Sequence, residues 1–217
     1  MILGIYGSGG NGTTLVDGMY ILGFDKIYTK IIFIDDVVGV KEVYDHEVYT
    51  FDEVKQKFSC DEIEILISLG EPADRKMLFN KIKEEGYRLA KGIISPRANM
   101  PLRCKIGEGA ILFDCTIGSD VIIGENTFVS ENAIIGHNTV IGNHGIISAQ
   151  AFVAGHCKIG DEVYIGPSSS IRDRVTIEDT AVVALGAVVL KDVSRNSIAI
   201  GNPARTIHKD ENYRIFN

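Results

Sequence analysis

The chain has 217 residues, 45% apolar and 24% charged, with 23 Gly and 5 Pro, a globular composition that excludes disordered, collagen-like and disulfide-scaffold classes. Its 22 basic and 29 acidic residues give a formal charge of −7, so a broad basic footprint for nucleic acid is absent, and no apolar run reaches the roughly 18–20 residues of a membrane span. The start MILGIYGSGG reads as a strand entering a loop rather than a signal peptide, and Cys60, Cys104, Cys115 and Cys157 have neither CxxC nor disulfide-dense spacing, which predicts a cytoplasmic protein without a metal site.

The first 93 residues alternate strand and helix signals. The run Ile2–Tyr6 leads into Gly7-Ser8-Gly9-Gly10-Asn11-Gly12, followed by a helical pattern through Leu15, Met19 and Leu22. A second strand, residues 30–34, ends at Asp35-Asp36. Thr50-x-x-Glu53 predicts a capping box. Residues 63–68 form a third strand ending near Gly70, and Pro72 opens a helix that runs to about Glu85 and stops at Gly86. This alternation predicts a small parallel α/β unit over 1–93. Gly7, Gly9 and Gly12 match Gly-x-Gly-x-x-Gly between strand and helix, where small residues let a phosphate approach backbone N–H groups at a helix N-terminus. Only three or four strands are legible before residue 94, too few for both halves of a dinucleotide fold. A mononucleotide or nucleotide-sugar site fits that length better, with a purely structural turn as the alternative.

From Ile117 the chain can be cut every six residues, at 117, 123, 129, 135, 141, 147, 153, 159, 165, 171, 177, 183 and 189, and each cut falls on Ile or Val. Independent placement would give thirteen in a row about three times in 100,000. The next residue is usually Gly, Ser or Ala, and the one four places after the cut is always small or medium-sized. A period of six fits neither a helix nor a lone strand. It fits short strands separated by bends, three to a coil, with 18-residue coils stacked at about 4.8 Å. Ile94, Met100 and Ile106 extend the period upstream, with one residue lost before Ile117, so a β-solenoid is expected over 94–217. The general crossover rule would favour a right-handed one.

Here the chain resembles the hexapeptide-repeat sugar acyltransferases: a short Rossmann-like domain, the hexads, and Gly201-Asn202-Pro203-Ala204-Arg205 near the end. These include N-acetyltransferases for nucleotide-linked 4-amino-4,6-dideoxy sugars and enzymes similar to sialic acid O-acetyltransferases. The resemblance implies an α/β domain followed by a left-handed parallel β-helix, assembled as a homotrimer with sites between subunits. It implies that Gly7, Ser8, Gly9, Asn11, Asp35, Asp36, Gly70 and Arg75 contact the nucleotide sugar. It implies acetyl-CoA as co-substrate, lined by His144, Gly155, Gly166, Pro167, Ala184 and Gly186, with Lys191 and Arg205 toward its phosphates.

Acetyl transfer to an amine needs a base with a pKa near neutrality, which favours histidine. Ile135-Gly136-His137-Asn138 matches the family motif whose His is the general base. Several members carry an acidic residue after it, where this chain has Asn138. A second family histidine corresponds to Ile146, and the repeat offers His144 and His156 as substitutes; His156 falls one coil after Asn138. Cys157, in the inward fifth place of its hexad, is expected to be structural, which favours direct transfer over an acyl-enzyme. The expected function is N-acetylation of a UDP- or dTDP-linked 4-amino sugar for surface glycans. The alternatives are sugar O-acetylation and a non-catalytic nucleotide-sugar-binding scaffold.

Overall fold

A computed structural model describes residues 1–37, 39–210 and 213–216. Contacts divide the chain into two compact units, Met1–Gly70 with Met77–Ala90, and Glu71–Lys76 with Lys91–Asn217.

The first unit follows the alternation of its sequence: β1 (Ile2–Tyr6), α1 (Gly10–Leu22), β2 (Lys30–Ile34), β3 (Glu42–Val43), β4 (His46–Tyr49), α2 (Phe51–Lys57), β5 (Ile63–Ile67), α3 (Pro72–Glu84) and β6 (Arg88–Leu89). Of α3, the residues from Met77 onward belong to this unit. The sheet order is β3-β4-β2-β1-β5-β6, parallel except for the β3–β4 hairpin. The chain moves from β1 to β2 on one side and later returns to β5 on the other, which puts a topological switch point beside the β1 loop. Ile32, Ile34, Phe51, Val54, Ile63, Ile65 and Ile67 are buried in its core. Leu15 and Met19 of α1 are buried as the pattern requires; the side chain of Leu22 lies outside the described ones. The capping box forms, with Thr50 Oγ1 accepting from Glu53 N–H and Glu53 Oε2 accepting from Thr50 N–H.

The sheet has more strands than the sequence shows. β3, β4 and β6 have two to four residues, too short for a periodic signal, and the hairpin turns on Tyr44 and Asp45, both at positive φ without a glycine.

The second unit contains a three-sided parallel solenoid. Its first face stacks Thr116–Ile117, Ile134–Ile135, Phe152–Val153, Ser170–Ile171 and Val188–Val189. The second stacks Lys105–Ile106, Ile122–Ile123, Val140–Ile141, Lys158–Ile159 and Thr176–Ile177. The third runs from Ile93–Ile94 to the closing hairpin Ser197–Ile200 and Arg205–His208. Most partners differ by 18, as in Thr116↔Ile134, but Ile122 pairs with Lys105, which is the residue lost before Ile117. All thirteen Ile/Val cuts are buried, joined in the core by the small fifth-place residues.

Each bend has a common geometry. The fourth residue of successive hexads, from Asp120 and Asn126 through His144 and His156 to Thr180 and Gly186, has φ between +52° and +64°. The second place is crowded: a Cβ on Gly136 would lie 2.4 Å from Gly155 N, and one on Gly142 would lie 2.3 Å from Asp161 Oδ1. Glycine at 136 and 142 is therefore demanded by the coil above, whereas Ser130, Ser148 and Ala154 hold the same place on other rungs.

Candidate functional site

The bend between the first and second faces forms one edge of the column. On it the third and fourth places stack as Ser119/Asp120, His137/Asn138, Gly155/His156 and Asp173/Arg174, joined by Asn138 N–H to Ser119 O (2.9 Å) and His156 N–H to His137 O (2.9 Å). His137, Asn138 and His156 are all exposed. His137 Nδ1 lies 2.9 Å from Asn138 Oδ1. An amide oxygen only accepts, so Nδ1 carries the proton and the Nε2 lone pair is available. The His137 and His156 rings meet edge to face with centroids 4.9 Å apart. Sequence spacing had placed His156 over Asn138 but gave no sign of this ring contact, because side-chain direction at a left-handed residue is not legible in a hexad pattern.

Cys157 points inward as expected. It is fully buried, its Sγ lies 3.2 Å from Arg172 O, and burial raises its thiol pKa above the ordinary value. It is neither accessible nor ionised enough to carry an acyl group.

His144 occupies the next edge and is buried. Asn126 Nδ2 donates to its Nδ1 at 3.2 Å, and also to Arg75 O at 3.0 Å. Burial lowers the His144 pKa, opposed by Glu162 and reinforced by Arg75. Arg75, expected to touch a nucleotide sugar, is instead completely enclosed: Nε and Nη2 donate to Asn126 O at 2.9 and 2.6 Å, and Nη2 to Asn126 Oδ1 at 2.7 Å. Burial lowers its pKa to about 9, and it still carries its charge at neutral pH. Arg75 and His144 thus form a packed polar cluster with Asn126, and neither is open to a ligand as placed. Lys76 pairs with Glu162 at 2.6 Å beside them.

The remaining expected acetyl-CoA residues divide between edges. Gly155 is on the His137 edge. Pro167, Ala184 and Gly186 lie at the bend after the third face, where Gly186 N–H bonds to Pro167 O at 2.9 Å; Gly166, just before Pro167, is buried under Leu185 N. Lys191 and Arg205 are exposed and line a cleft of about 570 Å³ with Leu190, Pro203, Ala204 and Thr206. A single column therefore does not gather these residues around one point.

In the first unit, Gly9 is the N-cap of α1 and makes no side-chain cap bond; a Cβ on Gly9 or Gly10 would meet nothing within 4 Å. Gly7 has φ +106°, and a Cβ on Gly12 would strike Gly7 O at 2.1 Å, so both glycines are structurally required. Asn11 is exposed at the start of the helix, and Gly70 is half-buried after β5. Asp35 Oδ2 accepts from Ser8 N–H (3.0 Å) and Oγ–H (2.7 Å), bracing the loop. Asp36 accepts from Tyr6 O–H, Lys81 Nζ and Phe51 N–H. Burial alone would raise its pKa, but these three donors outweigh it and hold the carboxyl below its ordinary range. Both acids already serve as internal struts of the loop region, a role the sequence did not reveal.

Among the described residues, no group of three or more His, Cys, Asp or Glu is placed to hold a metal ion. No helix among them is long and apolar enough to cross a membrane.

No protein-family model and no curated protein matches the chain. Solved structures do. The acetyltransferase domain of PglB from Neisseria gonorrhoeae is 23% identical with a TM-score of 0.87, covering 95% of this chain and 99% of that one. A variant of perosamine N-acetyltransferase from Caulobacter crescentus, in complex with CoA and GDP-perosamine, is 22% identical with a TM-score of 0.86, covering 96% and 98%. WeeI from Acinetobacter baumannii is 25% identical with a TM-score of 0.83, covering 95% and 100%. The chain shares with such structures a Rossmann-like region and a left-handed parallel β-helix, the opposite hand from the crossover rule.

Proposed function

We propose that the protein is an acetyl-CoA-dependent N-acetyltransferase acting on the 4-amino group of a nucleotide-linked 4-amino-4,6-dideoxy sugar in surface-glycan synthesis. The observation that carries this reading is His137: an exposed imidazole whose Nδ1 is occupied by Asn138 and whose Nε2 has no partner among the described residues. The solved PglB domain binds acetyl-CoA, and the perosamine enzyme binds CoA and GDP-perosamine. The same fold here carries an imidazole suited to that chemistry.

In the reaction the sugar amine attacks the thioester carbonyl and gives a proton to His137 Nε2. The C–S bond breaks and CoA leaves as its thiol, taking that proton back from His137 and returning the imidazole to its neutral form. Asn138 holds the tautomer with a neutral hydrogen bond. Backbone N–H at Gly155 supplies a donor toward the developing oxyanion. Gly9 and Asn11, exposed at the start of α1, seat the nucleotide phosphates, while Gly7 and Ser8, whose N–H groups go to Ile34 O and Asp35, shape the loop with Asp35 and Asp36 bracing it and Gly70 across the switch point. Lys191 and Arg205 face the phosphates of CoA.

The working form is a homotrimer. Two observations support it: the expected acetyl-CoA residues lie on different edges of one column, and apolar Ile122, Ile134, Val140 and Phe152 are exposed on the two faces flanking His137. A cytoplasmic location belongs to the same proposal, supported by four cysteines that form no disulfide.

The test incubates the protein with acetyl-CoA and UDP-, dTDP- and GDP-linked amino sugars and identifies products by mass spectrometry. An N-acetylated sugar is expected, and His137→Ala lowers kcat by about 10²–10⁴-fold without unfolding the chain. A product acetylated on a hydroxyl, or no CoA release with any amino sugar, overturns the reading.

A further inference from the structure

An imidazole at an exposed bend has little to stop it turning, yet a base works only within a narrow range of directions, on the order of 10–20°. The Asn138 hydrogen bond fixes one atom of the His137 ring. Two more restraints come from the coil above. The His156 ring stands perpendicular to that of His137 with centroids 4.9 Å apart. Its backbone is pinned in the left-handed region (φ 60°) by the bond from its N–H to His137 O, which sets where its Cβ points.

The second restraint is a vacancy. On the neighbouring edge the third places carry Asn143, Asp161 and Asp179, each reaching the N–H of the residue one coil below: Glu125 N–H to Asn143 Oδ1 (2.8 Å), Asn143 N–H to Asp161 Oδ1 (2.7 Å), Asp161 N–H to Asp179 Oδ1 (3.0 Å). The equivalent place above His137 is Gly155. Its φ is not left-handed, so the backbone does not require glycine. A Cβ there would lie 3.1 Å from both Cε1 and Nε2 of His137, closer than ordinary contact. The space that a side chain fills on the other edge is here occupied by the imidazole.

We propose that His156 is a positioning residue: its ring, packed on His137 in the space left by Gly155, holds the imidazole with Nδ1 on Asn138 and Nε2 open. It acts as a flat body and takes no part in proton transfer. The proposal rests on His137 as the base, and one arm of its test does not.

His156→Ala, His156→Phe and Gly155→Ala are compared in the full-length protein for kcat, for KM toward acetyl-CoA, and for the rate at which diethylpyrocarbonate modifies His137, read by peptide mass spectrometry. His156→Ala is expected to lower kcat about 10-fold with KM within about 2-fold, and to add nothing in a His137→Ala background. His156→Phe recovers most of that loss, because it keeps a ring and removes the titrating nitrogens. Gly155→Ala lowers kcat without lowering the unfolding temperature. The modification rate of His137 changes about 3-fold or more in His156→Ala and returns toward wild type in His156→Phe. Equal loss in the Phe and Ala variants would overturn the proposal in favour of a proton-carrying His156. Wild-type kcat and wild-type modification in His156→Ala would overturn it outright. If His137→Ala stays fully active, the base assignment fails, while the modification rates still decide whether His156 fixes the ring.

Discussion

Asn138 gives His137 a partner that selects a tautomer without contributing charge. In the proposed transfer a carboxylate in that place would also stabilise the imidazolium; an amide does so only weakly. The expected effect of Asn138→Ala is accordingly small: kcat falls about 2–12-fold, the worth of one neutral hydrogen bond of about 0.5–1.5 kcal/mol, with little change in KM. The cysteines divide by environment. Cys115 is buried with its pKa pushed up to about 12, and Cys157 is buried with its pKa raised, whereas Cys60 and Cys104 are partly exposed. Iodoacetamide followed by peptide mapping should label Cys60 and Cys104 in the native protein and reach Cys115 and Cys157 only after unfolding. At this scale the sequence was a good guide to which side chains face outward or inward and a poor one to their neighbours. His137 and Cys157 were readable from their hexad places. The enclosure of Arg75 was not, because its partner Asn126 lies 51 residues away.

The elements show the same contrast. The long strands, the three helices and the thirteen hexad cuts were legible because each repeats its signal several times. The β3–β4 hairpin and β6 were not, since two to four residues carry no period. The polar cluster at the first turn of α3 also leaves no periodic signal in the sequence, and it has a pH signature. His144 is neutral in the folded chain, accepting from Asn126 and facing Arg75, Lys76, Asp161 and Glu162. Its folded pKa lies below the ordinary 6.5, so folding favours the neutral form. That contribution is complete above pH 6.5 and is lost as pH falls below it, when the unfolded chain takes up a proton that the folded one resists. Urea midpoints at pH 7.5 and 5.5 should therefore differ more for the wild type than for His144→Gln. Equal differences would mean that the imidazole titrates alike in both states.

For the whole molecule, the distribution of apolar side chains is decisive. Outward residues of the third face, Phe128, Ile146, Tyr164 and Val182, are already covered, while Ile122, Val140, Ile134 and Phe152 on the other two are not. Light scattering should give three times the chain mass. Phe152→Glu should reduce it toward one chain mass and abolish turnover while leaving the circular dichroism spectrum intact; a fully active single chain would refute the shared site. The column has a further property. Its core depends on the first and fifth places of each hexad, whereas the third and fourth project at the bends and accept groups as different as Ser, His, Asp and Arg. Residues 18 apart are adjacent rungs, separated by about 4.8 Å. Adding or deleting one whole lap would slide a residue at a bend along its edge by a fixed increment and leave every inward contact type unchanged, so the reach of that edge can be retuned by length alone.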